Sequence, residues 1–257
     1  MATGCAISRS AARCRGLRAL CPWSRTERAM PRMNVLRWRD GRGWIVLAGS
    51  SAQLGDQDGV DFEVEAQALT RIAYGEPIAY IWAAGDADTA DRHLALLDEM
   101  GAPTGYLVDI VTEDDHSIRA QLDEAGMIIL GDGQAAETLR AALEGAALEG
   151  MQAAYARGAV ILGIGAGAAA LGSYLEGASG LGWVENAAIV PRYEQPSRAA
   201  ALRALLEAHP SAYGIGIGSR SALALGAAGQ VEVWGERKVT ILLGSALLAS
   251  DQHQKKP

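Results

Sequence analysis

Beyond Cys21 the chain contains no cysteine, which excludes disulfides and thiolate metal sites from everything downstream. Aromatic residues are scarce, with Phe62 as the single phenylalanine, so alanine and glycine carry the apolar excess. Long apolar runs are missing as well. Nothing approaches the roughly 18–20 uninterrupted apolar residues of a membrane span, and no membrane partner is expected. The first residues also lack the 7–15 residue apolar core of a secretory signal. These absences fit a soluble protein of a reducing cytoplasm.

Charge is distributed unevenly. Residues 1–42 hold ten arginines against Glu27 and Asp40, a net +8 in a chain of net −7, so the remainder carries −15. An acidic body of this kind excludes nucleic acid as the natural partner. The Arg- and Ser-rich leader has three readings: a transit sequence, a basic arm, or upstream sequence ahead of a true start at Met30 or Met33. Three regions are expected: a basic extension without structure over 1–42, one domain over 43–249, and a disordered polar tail over 250–257.

From Trp44 onward, short apolar runs alternate with helical patterns. Strands are predicted at 44–50, 78–84, 104–111, 125–131, 159–163 and 186–193. Helices are predicted at 62–74, 88–101, 114–124, 134–145, 146–158 and 197–209, with Asp88 and Thr89 as caps of the second and Gly101 as its stop. Continuous apolar strands separated by helices predict a mainly parallel sheet in a three-layer α/β/α sandwich. Four short segments between 212 and 244, with glycine in their turns, predict antiparallel strands at the edge.

The stretch "GAVILGIGAGAAALG" (158–172) runs from a strand through a glycine-rich turn into a helix. Gly163, Gly165 and Ala168 satisfy the dinucleotide fingerprint, which makes nucleotide binding one reading. Four strands precede the turn, however, and Glu185 comes before the next strand instead of ending it, against the usual arrangement. The other reading is a nucleophile elbow, whose small neighbours Gly163, Ala166, Gly167 and Ala168 suit a strained turn. Its tip is then Gly165, which has no side chain to attack with. The backbone N–H groups of the turn remain, and they suit an anion or a carbonyl oxygen.

Four segments in order resemble the cyanophycinase and dipeptidase E serine peptidases, which have the class I glutamine amidotransferase-like fold. "AGMIILGDGQ" is similar to a strand ending in Gly-Gly-x-Gln, and "RGAVILGIGAGAAAL" to the family's Gly-Thr-Ser-Ala-Gly-Ala elbow. "GLGWVENAAIVPRYEQPSR" resembles the segment leading to Asp-Gln-His-Phe and a downstream arginine. "GIGIGSRSALAL" with "VEVWGERKVTILLG" resembles the Gly-Ile-Gly-Ile-Asp-Glu-x-Thr-Ala segment and the closing strands. The likeness spans roughly residues 43–244.

The resemblance places the serine nucleophile at Gly165, the histidine base at Arg192, the aspartate at Val190, and an acidic pair at Gly218 and Ser219. Arginine stays protonated and accepts no proton, so the resemblance implies the fold while the residues speak against the activity. What it retains implies a pocket around Gly131, Gln134, Gly165, Ala166, Arg192, Arg198 and Ser221. Replacing histidine and aspartate by Arg192 and Val190 makes that pocket more cationic, which favours a carboxylate-bearing small molecule or peptide. The alternative is a hydrolase of aspartyl peptides that uses another nucleophile. Ser50, Ser51, Ser173, Ser219 and Ser221 are the serines to consider, but none has an obvious base. His93, His116, His209 and His253 read as surface or capping groups. The run Glu113–His116 reads as helix-start acids and not a metal site. No cofactor or metal is expected, and a homodimer is conceivable from fold class alone.

Overall fold

The computed structural model describes residues 36–50 and 62–252. Residues 1–35, 51–61 and 253–257, and with them Ser51, His253 and most of the two expected termini, lie outside the described residues.

The elements in chain order are β1 (Arg37–Trp38), β2 (Trp44–Ala48), α1 (Glu63–Leu69), β3 (Ile78–Ile81), α2 (Ala87–Glu99), β4 (Gly105–Val108) and α3 (Asp115–Glu124). They continue with β5 (Met127–Leu130), α4 (Ala136–Ala142), α5 (Ala146–Arg157), β6 (Val160–Ile164), α6 (Ala166–Ala170), β7 (Val184–Glu185), β8 (Ala187–Pro191) and α7 (Pro196–Ala208). β9 (Tyr213–Ile217), β10 (Ser221–Gly226), β11 (Val231–Gly235), β12 (Val239–Leu243) and α8 (Ser245–Gln252) close the chain.

Seven strands form the central sheet in the order β11-β10-β2-β6-β5-β3-β4. β2, β6, β5, β3 and β4 are mutually parallel, and β10 with β11 adds the antiparallel edge. Alternation along each strand sends its residues to two cores. Ile45, Leu47, Ile128, Leu130 and Ile161 pack with Leu122, Leu139 and Met151 of α3, α4 and α5. Val46, Tyr80, Ile129, Leu162 and Ile164 pack on the other face with Val64, Ala90, Leu94 and Leu97 of α1 and α2. The continuous apolar runs are thus the signature of strands covered on both faces.

Some boundaries differ from the sequence reading. β1 pairs with β7 (Arg37 opposite Glu185), and Arg39 N–H donates to the Trp183 carbonyl at 2.7 Å, so the folded body reaches upstream of residue 43. At the other end α8 continues to Gln252, past the expected boundary at 249. The cap of α2 is Asp86, not Asp88 or Thr89: its extended backbone lets the carboxylate accept from Thr89 N–H at 2.8 Å. Gly101 ends that helix region with φ +83°, as expected. The closing strands divide between two sheets. β10 and β11 edge the central sheet, whereas β9 lies between β8 (parallel) and β12 (antiparallel) in a separate three-stranded sheet. Among the described residues no helix is long and apolar enough to cross a membrane.

Candidate active site

In open α/β sheets the site lies beyond the carboxyl ends of the strands. Here the turns leaving β5 and β6 stand side by side at that edge, because the two strands are hydrogen-bonded neighbours. Gly165 leaves β6 at φ 51°, ψ −111°, a conformation that strains an L-residue and that glycine adopts freely. The turn also needs its other glycines for space. A Cβ at Gly167 would lie 2.2 Å from the Leu130 carbonyl oxygen, and one at Gly163 would lie 2.8 Å from the Ala168 backbone. The glycine pattern is therefore accounted for by close strand–helix packing.

The space beyond Gly165 is filled from the neighbouring turn. Asp132 follows β5, and its Oδ1 accepts from Gly133 N–H at 2.8 Å and from Ala166 N–H at 3.0 Å. Its Oδ2 forms an ion pair with Nη2 of Arg192, both side chains being largely covered. A Cβ added at Gly165 would lie 1.9 Å from Asp132 Oδ1 and 2.2 Å from its Cγ. The carboxylate thus stands where a side chain at 165 would begin. Arg192, which follows β8, has φ +52°, an uncommon conformation for a non-glycine residue of the kind that clusters at functional sites.

This geometry changes the expected electrostatics. The positive charge of Arg192 is matched by Asp132, so its substitution does not leave the pocket with a cationic excess. The Ala166 N–H, counted from sequence as free for an anion or a carbonyl oxygen, is already engaged. A nucleotide phosphate at the turn would meet a carboxylate in its place, which argues against the dinucleotide reading. Asp132 escaped the sequence reading although a signal was present: it occupies a position where the resembled motif has glycine.

Beside the elbow lies a cleft of about 190 Å³, bounded by Gln134, Ala166, Ala169, Ile189, Val190, Arg192, Arg198 and Leu205 among others. Val190, at the position of an aspartate, packs with Ala188, Leu202 and Leu205. Arg198 is exposed at the rim, and Glu137 and Glu176 line the same cleft. None of the three has an ion-pair partner among the described residues. Gln134, Ala166, Arg192 and Arg198 are thus brought together, whereas Gly131 and Gly165, expected in the same pocket, do not line the cleft.

Ser221 is not part of this group. It is fully buried on β10, where its hydroxyl accepts from Lys238 N–H at 3.0 Å. Ser173 and Ser219 serve structure too. Ser173 Oγ donates to the Val184 carbonyl at 3.0 Å, and Ser219 bonds Glu194 through its N–H and its hydroxyl. Burial works against the Glu194 charge, but the Ser219 hydrogen bonds hold its carboxyl below the ordinary value. Ser50 is buried beyond β2.

Among the described residues, none of the three histidines lines the cleft. His93 corrects its surface assignment: it is buried, with Nδ1 3.4 Å from Tyr80 Oη and Nε2 3.6 Å from Glu65 Oε1. Burial, followed by the charges of Asp132, Glu65 and Asp86, pushes the Tyr80 phenol up. His116 lies in the first turn of α3, whose N-cap Asp114 accepts from the His116 and Ser117 N–H groups at 3.0 and 3.1 Å. His209 stacks on Tyr174 with ring centroids 3.9 Å apart, so it supports a wall of the cleft.

The family model of Peptidase family S51 matches residues 45–230. Among solved structures, a peptidase from an acI-B1 Actinobacterium is 22% identical with a TM-score of 0.64, the match covering 79% of this chain and 91% of that one. A candidate peptidase E protein from Listeria monocytogenes is 14% identical with a TM-score of 0.52, covering 79% and 99%. At these identities the structural likeness concerns the fold. No curated protein matches the sequence.

Proposed function

The chain belongs to peptidase family S51, and from that premise we propose that it binds a small carboxylate-bearing molecule or peptide end without hydrolysing it. The observation that carries this reading is the Asp132 carboxylate standing in the place of a side chain at Gly165, paired to Arg192. Acyl transfer needs a nucleophile, a base beside it, and donors for the oxyanion. Gly165 supplies no nucleophile and Arg192 accepts no proton. The Ala166 N–H, which would face a developing oxyanion, already donates to Asp132. The Asp132 carboxylate is already engaged by three donors, the Gly133 and Ala166 N–H groups and the Arg192 guanidinium.

The cleft nevertheless persists. Its floor of Ala169, Ile189, Val190 and Leu205 is apolar, and its rim carries Arg198 opposed by Glu137 and Glu176. Arg198 suits a carboxylate through paired N–H donors, and the two glutamates suit an ammonium or guanidinium group. A volume of about 190 Å³ falls below the roughly 300–1,000 Å³ of drug-sized sites, which favours an amino acid or a dipeptide.

Thermal melts in the presence of an aspartyl dipeptide test this reading. The dipeptide is expected to raise the melting temperature saturably. Arg198→Ala should weaken that response by roughly 10- to 100-fold in affinity, the worth of a charge-assisted hydrogen bond. An unchanged response in Arg198→Ala, or consumption of the dipeptide, would contradict it.

A further inference from the structure

The Asp132 carboxylate is held as a bound anion would be held. One oxygen receives two backbone N–H groups, from Gly133 in its own turn and from Ala166 in the neighbouring turn, at 2.8 and 3.0 Å. The other oxygen receives the Arg192 guanidinium. These donors come from three separate segments, the turn after β5, the turn after β6 and the turn after β8, so the cradle belongs to the tertiary fold and not to any one loop. Its occupant arrives from the chain itself, in space that exists only because Gly165 has no Cβ.

We propose that this cradle is a carboxylate site filled by a tethered ligand, Asp132, which closes the elbow end of the cleft to free carboxylates. The inference rests on the reading of the cleft above and adds its selectivity. A ligand carboxylate is left with Arg198 at the rim, because the second cationic position, Arg192, is already satisfied internally. Shortening residue 132 uncovers three convergent donors and creates a site for a small monocarboxylate. Neutralising the residue without shortening it keeps the Gly133 and Ala166 donors covered, because an asparagine retains the volume and its amide oxygen still accepts from both, although its Nδ2 no longer pairs with Arg192.

The test uses sodium acetate as probe, against sodium chloride at equal ionic strength. Amide chemical shifts of Gly133 and Ala166 are the readout. In the natural protein these two resonances are expected to stay still up to about 100 mM acetate, well above the millimolar affinities of weak small-ligand sites. In Asp132→Gly they should move saturably, with affinity at least ten-fold tighter than in the natural protein. In Asp132→Asn these two resonances should stay still as in the natural protein, and adding Arg192→Ala to Asp132→Gly should weaken acetate at least ten-fold. Saturable movement in the natural protein overturns the proposal, as does a folded Asp132→Gly that ignores acetate. If the glycine variant does not fold, Asp132→Ala takes its place, and the measurement on the natural protein stands alone as a refutation. Acetate is read at these amides and the dipeptide through Arg198, so the cradle and the rim reading can fail separately.

Discussion

Serine introduced at position 165 alone is expected to destabilise the protein by about 3–5 kcal/mol, a large part of the 5–15 kcal/mol that keeps a domain folded. Two costs combine. A backbone at φ 51° strains a non-glycine residue by about 1–3 kcal/mol. The new Cβ, 1.9 Å from Asp132 Oδ1, also has to expel the carboxylate from its donors. That leaves Arg192 and the Ala166 N–H without their partner, at about 1–3 kcal/mol for unsatisfied groups. Asp132→Gly removes the same pairings by itself, so the two changes share that cost, and the double variant should be about 2 kcal/mol more stable than the sum of the two single variants predicts, within the range of couplings between touching residues. Urea denaturation of the two single variants and the double variant measures this coupling. Strict additivity would show that the carboxylate and the elbow tip do not compete for the same space.

A second large effect is expected in reactivity. The combination Asp132→Gly, Gly165→Ser and Arg192→His should make the protein react with a fluorophosphonate, whereas the natural chain is expected to take no label. The backbone needed for this is in place. The elbow holds φ 51°, ψ −111° at residue 165, and residue 192 has φ +52°, a region that histidine tolerates better than most residues. Removing Asp132 frees the Gly133 and Ala166 N–H groups to face an oxyanion. Hydrolysis by the triple variant should remain slow. Val190 offers the new histidine no orienting carboxylate, a deficiency worth about 10⁴-fold in the best-studied triad. A folded triple variant that takes no label would show that the elbow has lost more than its side chains.

Much of the architecture was legible because it follows from local pattern. Runs such as "MIIL" and "VILGI" have no polar face, so they had to be buried on both sides of a parallel sheet, and they are. Gly101 and Gly158 announced helix ends by their position, and both have positive φ. The burial of His93, read above as a surface or capping group, also had a signal in the sequence. With Ala90, Leu94 and Leu97 it completes an i, i+3, i+4, i+7 stripe, the inward face of α2.

Other features carry no local signal. A two-residue strand such as β1 has no periodicity, and its place beside β7 is set by contacts about 150 residues away in sequence. Whether β9 and β10 share a sheet depends on pairing partners and not on their own composition. The site divides in the same way. Gly165 and Arg192 could be read as losses one position at a time. The compensation could not, because Asp132 meets Ala166 34 residues later and Arg192 60 residues later, and only the folded chain brings them together.

The central claim is that the natural protein has exchanged peptidase chemistry for an occupied elbow. Release of amine from an aspartyl dipeptide by the unaltered chain tests it most directly. The expected result is release no faster than in buffer, from protein shown to be folded by its cooperative melt. Turnover above buffer that persists through repeated purification and disappears on changing a single residue of the cleft would contradict it.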